Sequence, residues 1–193
     1  CPYHAIIYVP VPCEEACPVN AISKDENGKE QIDFEKCTFC GKCMRECPFG
    51  AIMERSQVVD VLKNFDGKNK IVVMIAPAIV GQFSAELGQV VSAIKELGFD
   101  EVVEVAHGAD LTAEHESAEF IERMEKGDDF MTTSCCPAFT ETVNKHVPAL
   151  KLYVSDTPSP MAFSAKEVRE TMPDALTVFM GPCVAKRHEA LNN

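Results

Sequence analysis

Cys37, Cys40, Cys43 and Cys47 stand in the run Cys-x-x-Cys-x-x-Cys-x-x-x-Cys-Pro, closed by Pro48. Three thiolates this close in sequence reach three corners of one 4Fe-4S cubane, while the fourth lies too far round the turn and serves a neighbouring cluster. A zinc site or a set of free thiols requires neither four cysteines at this spacing nor the trailing proline. The crossed-ligand rule pairs Cys37, Cys40 and Cys43 with Cys17, whose Pro18 mirrors Pro48. A second cluster takes Cys47 and Cys13, with Cys1 as the remaining candidate in the first stretch. Its fourth ligand lies upstream of Cys1 or is missing.

The elements that position these thiols are short. Cys17 to Ile22 and Cys47 to Ile52 both read Cys-Pro-x-x-Ala-Ile, an internal repeat split by the polar turn from Lys24 to Lys29. Two pseudo-symmetric halves follow, with too little apolar surface for a core of their own, so cofactor ligation must staple the segment. Phe34, Phe39 and Phe49 flank the ligands and read as packing that keeps water from sulfur.

Two more cysteine phrases lie further along, Thr133-Ser134-Cys135-Cys136-Pro137-Ala138-Phe139 and Gly181-Pro182-Cys183-x-x-Lys186-x-x-Glu189. The surrounding texture alternates. Residues 71–76 form a continuous apolar run of the kind shown by a strand buried on both faces. An amphipathic helix is expected over 82–97, a strand over 101–105, a helix over 111–124, a strand over 130–133 and a helix over 139–146. A helix over 162–170 and a strand over 176–180 complete the series. Such alternation predicts an α/β domain with a mainly parallel sheet and right-handed crossovers. Both cysteine phrases then sit at strand C-terminal ends, where α/β proteins place ligands. A cysteine that opens a helix is biased towards thiolate by the backbone donors and the helix dipole, which makes Cys136 and Cys183 candidate metal ligands.

The chain of 193 residues carries a formal charge of −12 and no basic cluster, so nucleic acid and anionic membrane are poor partners. No apolar run reaches the roughly 20 residues that cross a bilayer. With seven of ten cysteines in metal-ligand spacing within the first 47 residues, the expected home is a reducing cytoplasm. The five histidines share no ligand spacing and receive no metal role.

Taken together, these phrases resemble the iron-only (FeFe) hydrogenase family over nearly the whole chain. The resemblance implies a ferredoxin-like α+β module with two 4Fe-4S clusters over residues 1–56. The first lobe of the catalytic α/β domain follows over 57–193. It further implies that Cys136 and Cys183 ligate the cubane of the H-cluster, a 4Fe-4S unit joined to a diiron unit. Cys135 would face the open iron site and relay protons, with Glu116, Glu119, Ser155 and Glu189 continuing the path. Lys186 would donate to a cyanide of the diiron unit, and Ala76-Pro77 would line the same pocket. The implied reaction interconverts dihydrogen with protons and electrons in an anaerobic setting, with electrons exchanged with a ferredoxin or another redox carrier.

Gly181 stands where the prototypical enzymes carry Met, Met161 replaces a Gln and Pro158 a Lys. These departures resemble less-studied subgroups of the family, in which hydrogen sensing or weak turnover is expected. The family's third motif, which supplies the last two cubane ligands, is not found, since no cysteine follows Cys183. The chain thus reads as a piece of a longer polypeptide that would be inactive alone. A non-catalytic relative, either a hydrogen or redox sensor or a cluster-assembly factor, is the alternative; Cys135 and Glu189 count against assembly. A simple electron carrier is the least economical account.

Overall fold

The computed structural model describes residues 2–3 and 11–192. The expected ligand Cys1 lies outside them.

The centre of the larger part is β3 (Ile71–Ile75), all five of whose residues are buried. It is the middle of a three-stranded parallel sheet, with β4 (Glu101–Glu104) on one side and β5 (Leu176–Met180) on the other. Val73 is in register with Val102 and with Val178. Because side chains alternate across a strand, β3 serves two cores. Ile71, Val73 and Ile75 pack with Ile94 of α4 (Leu87–Glu96) and with Phe99, and Val61 of α3 (Val58–Leu62) adds to that face. Val72 and Met74 pack with Val105 of α5 (Val105–Lys126) and with Met161 and Val168 of α7 (Pro160–Thr171). Each fully buried aliphatic side chain there contributes about 2 kcal/mol of transfer free energy.

Helices α5 and α7 lie close enough that a Cβ on Gly108 would stand 2.3 Å from the carbonyl oxygen of Pro160. Only glycine admits that approach.

Before β3 lie α1 (Pro12–Ala16), the antiparallel pair β1 (Ile22–Lys24) and β2 (Glu30–Ile32), and α2 (Lys42–Glu46). Helices α1 and α2 pack on each other. Both end on a Cys-Pro pair with nearly the same backbone, φ −77 and ψ 109 at Cys17 and φ −77 and ψ 108 at Cys47. The internal repeat is thus a structural one as well.

Three expected elements differ. The helix expected from Gln82 begins at Leu87, where Glu86 and Gln89 exchange side-chain and backbone bonds as a capping box. The helix expected from Leu111 begins at Val105, directly off β4, since nothing between them breaks it. No strand forms over 130–133. Thr132 alone pairs with Val154, because its partner segment is the 3-10 helix Pro148–Tyr153 and offers one extended residue rather than a ladder.

Candidate metal centres

Cys17, Cys37, Cys40 and Cys43 line one recess together with Ala21, Ile22 and Ile32. Three pieces of chain bring them there. Cys17 ends α1, Cys43 sits in α2, and Cys37 and Cys40 lie in the loop that leads into α2, where Phe39 (φ 57) and Gly41 (φ 76) are both left-handed. Backbone N–H groups point at sulfur, from Ala21 to Cys17 at 3.2 Å and from Phe39 to Cys37 at 3.4 Å. Such donors stabilise thiolate and cluster sulfur alike. Burial pushes the Cys37 and Cys43 thiols up, and their neighbouring thiols push the same way. Holding the Cys37 and Cys43 sulfurs as thiolates at this spot therefore calls for a positively charged bound group.

The repeat-related pair is Cys13 and Cys47. Cys13 is buried in α1, and burial together with the charge of Glu30 pushes its thiol up. Cys47 ends α2 and accepts from Ala51 N–H at 3.3 Å, the counterpart of the Ala21 bond. Backbone donors at Ala51, Phe49 and Ile52 pull its thiol down. Among the described residues, no three His, Cys, Asp or Glu side chains converge on a site for a single metal ion.

In the α/β part, Cys136 is the N-cap of α6 (Pro137–His146), and Cys183 immediately precedes α8 (Val184–Asn192). The two helices pack on each other, and both cysteines are exposed. Cys183 follows the sheet strand β5, as expected. Cys136 follows the single Thr132 bridge rather than a strand end, so only one of the two phrases sits at the sheet's carboxyl edge. Ala76 and Pro77 leave β3 at that same edge, where Ala76 N–H donates to Met180 O at 2.9 Å, and both line a shallow recess there.

Behind Cys135 lies a connected polar cluster. The Cys135 thiol is 3.8 Å from the hydroxyl of Thr133. Glu116 on α5 accepts from Ser134 N–H at 3.1 Å, and Ser134 Oγ donates to Thr157 O at 2.6 Å. One turn on, Glu119 accepts from Ser155 Oγ at 2.5 Å, from Thr157 Oγ1 at 2.9 Å and from Asp156 N–H at 3.0 Å. Arg123, a further turn along, completes the set at 2.6 Å from Glu119. Partial burial works to raise the Glu119 pKa, but these donors outweigh it and hold the carboxyl at about 2.

Glu189 belongs to a second group. It accepts from Ser159 Oγ at 2.6 Å and pairs with Lys186 at 2.7 Å, with both charged side chains less than 15% exposed. Ser159 also caps α7 by accepting from Ala162 N–H. Glu116, Glu119 and Ser155 therefore form one cluster, while Lys186 and Glu189 of α8 form another around Ser159, four residues beyond Ser155.

Sequence reasoning missed Arg123, which besides Glu119 bonds the carbonyls of Leu152 and Val154. The Glu119-x-x-x-Arg123 spacing carried that signal. It also missed Ser159, whose place before Pro160 marks a helix N-cap.

The model of the 4Fe-4S binding domain family matches residues 30–53, and that of the iron-only hydrogenase large subunit, C-terminal domain, matches residues 69–193. The chain is similar to the NADP-reducing hydrogenase subunit HndD of Solidesulfovibrio fructosivorans, with 29% identity over 79% of this chain and 30% of that protein. It is similar to the periplasmic Fe hydrogenase large subunit of Nitratidesulfovibrio vulgaris, with 32% identity over 83% of this chain and 51% of that one. The chain thus spans about half or less of the length of these relatives. A solved structure from a study of stepwise FeFe-hydrogenase H-cluster assembly superposes with a TM-score of 0.63 at 30% identity, covering 70% of this chain and 40% of the other. Among the described residues, no helix is long and apolar enough to cross a membrane. With its model matched over nearly two thirds of the residues, and the parallel sheet and cysteine-capped helices in place, the chain belongs to the family of iron-only hydrogenase large subunits, through their C-terminal domain.

Proposed function

We propose that the chain combines an electron-entry module over residues 1–56, ferredoxin-like and carrying two 4Fe-4S clusters, with the first lobe of a hydrogenase catalytic domain over residues 57–193. The whole protein interconverts dihydrogen with protons and electrons, exchanging electrons with a ferredoxin or another redox carrier in the cytoplasm of an anaerobic cell. The observation that carries this reading is the polar cluster behind Cys135, in which Glu116 and Glu119 reach across to Ser134 and Ser155.

The donor sets fit the cofactors. Four thiols around one cavity suit a cubane. Cys136 and Cys183, opening two packed helices, supply two thiolates for the H-cluster, and the other ligands belong to the remainder of the family domain. When bound, that cluster supplies the open iron site at which dihydrogen is formed or split. The chain's own residues handle protons and charge. The Cys135 thiol gives or takes the proton, and Glu116, whose carboxylate accepts from the adjacent Ser134 N–H, exchanges it onward with solvent. The ionised Glu119 with Ser155 fixes the turn behind them and completes the polar path. Lys186, locked by Glu189, places a fixed cation for anionic ligands of the group. Cys47 and Cys13, with Cys1, hold the second cluster.

A second reading is favoured by one position. A Cβ on Gly181 would stand 2.7 Å from the Phe179 ring and 2.9 Å from Ala76 Cβ, so the Met of the prototypical enzymes has no room here. A pocket rebuilt in this way suits a sensor of dihydrogen or redox state.

The test is iron and sulfide content with electron paramagnetic resonance on the anaerobically reconstituted chain, comparing wild type with Cys40→Ala and Cys136→Ala. Loss of about four irons on Cys40→Ala supports the cubane, and a further loss on Cys136→Ala supports metal binding by the catalytic lobe. Iron bound equally by all three would refute the ligand assignment. Restoring the rest of the catalytic domain and assaying dihydrogen turnover against Cys135→Ala separates enzyme from sensor.

A further inference from the structure

Phe39 lies between two of the proposed cluster ligands, Cys37 and Cys40, and holds φ at 57, a conformation that bulky residues rarely adopt. Its ring is gripped from two sides. Phe34 stacks at 6.1 Å between centroids, and His188 of α8 stacks at 3.7 Å with the planes 12° apart. The last turn of α6 holds the same loop by its carbonyls. Lys145 Nζ donates to Phe34 O at 3.0 Å and to Cys37 O at 2.8 Å, and lies 5.1 Å from the centre of the Phe39 ring. His146 Nε2 is 2.8 Å from Lys36 O. The loop carrying two cluster ligands is therefore seated on α6 and α8, the two helices opened by Cys136 and Cys183.

We infer that Lys145 raises the reduction potential of the cluster held by Cys17, Cys37, Cys40 and Cys43, acting from the catalytic lobe on the electron-entry module. This rests on the ligand reading given above. Reduction adds one electron, taken from the redox carrier, to a cluster already anionic through its thiolates. A fixed ammonium on the carbonyl of a ligand residue stabilises the reduced form more than the oxidised one. The Lys145 side chain is 24% exposed, so water screens it incompletely. Glu141 pairs with it at 2.9 Å and, among the described residues, makes no hydrogen bond to the loop. It moderates the ammonium, and its other oxygen lies 4.0 Å from Nε2 of His188, the ring stacked on Phe39. Removing Lys145 both withdraws the cation and leaves that carboxylate uncompensated, and both changes disfavour reduction. Lys145 is a positioning and tuning residue, since it acts through Cys37.

The experiment is a redox titration followed by electron paramagnetic resonance on the reconstituted chain. The relevant signal is the one abolished by Cys40→Ala. Lys145→Gln should shift its midpoint to more negative potential, Lys145→Arg should leave it near wild type, and Glu141→Gln should shift it to more positive potential. A Lys145→Gln protein with wild-type iron content and an unmoved midpoint would overturn the inference. So would a Glu141→Gln shift in the negative direction, the mark of a loosened junction rather than an altered charge. Should Lys145→Gln fail to load iron, the Glu141→Gln shift decides alone. A wild-type chain lacking any Cys40-dependent signal overturns the ligand reading instead, so the two failures are distinguishable.

Discussion

Ser155 Oγ donates to Glu119 Oε2 across 2.5 Å, tying the segment that leads into α7 to the middle of α5. The same carboxylate takes Asp156 N–H, Thr157 Oγ1 and the Arg123 guanidinium. One side chain therefore fixes a whole turn of backbone behind Cys135.

Glu119→Gln keeps the shape but loses the charge and half the acceptor capacity, leaving Arg123, 15% exposed, with the exposed Asp156 carboxylate at 3.1 Å as its remaining ion-pair partner. A loss of about 1–3 kcal/mol is expected, read as a lower urea midpoint at unchanged slope. A midpoint equal to wild type would show that the network is not stabilising.

The same carboxylate predicts a pH dependence. Its folded pKa of about 2 lies below the ordinary 4.5. Its stabilisation is therefore complete above about 4.5 and is lost as the pH falls towards about 2. Wild type should lose stability across that window more steeply than Glu119→Gln. Parallel curves for the two proteins would contradict the assignment.

Gly108→Ala places a Cβ 2.3 Å from Pro160 O and 2.4 Å from Ser164 Oγ, at the crossing of α5 and α7. The backbone oxygen cannot rotate away, so the helices must part. About 1–3 kcal/mol should be lost, with a lower melting temperature as the readout; an unshifted melt would mean that the crossing has slack.

Gly181→Met should strike the Phe179 ring and Ala76 and destabilise the carboxyl edge of the sheet. Phe179→Leu shortens the obstructing side chain, so the double variant should be more stable than the sum of the two single effects predicts, a positive coupling measurable in a double-mutant cycle. Strict additivity would show that Phe179 is not what excludes the larger residue.

Local spacing made the chemistry legible. Cysteine intervals, the two Cys-Pro repeats and the apolar runs at β3 and β5 depend on residues a few positions apart, and period and turn length govern such features directly. That is why residues 176–180 form the expected strand and residues 71–75 the expected buried one. Residues 130–133 misled because a strand also needs a partner, and the facing segment is the 3-10 helix that opens at Pro148.

By itself, then, the sequence determined that thiols are grouped for iron–sulfur ligation and that a parallel α/β layer follows them. Only the tertiary structure decided that Lys145 meets the carbonyl of Cys37, 108 residues away. It alone decided that Phe39 stacks on His188, and that Glu189 takes the Ser159 hydroxyl, 30 residues away, rather than joining Glu119. No periodicity encodes these meetings. They arise where α6 and α8 pack and where the loop of Cys37 and Cys40 is left to seat, and hydrogen bonds between distant segments exist only once that packing has brought donor and acceptor within reach.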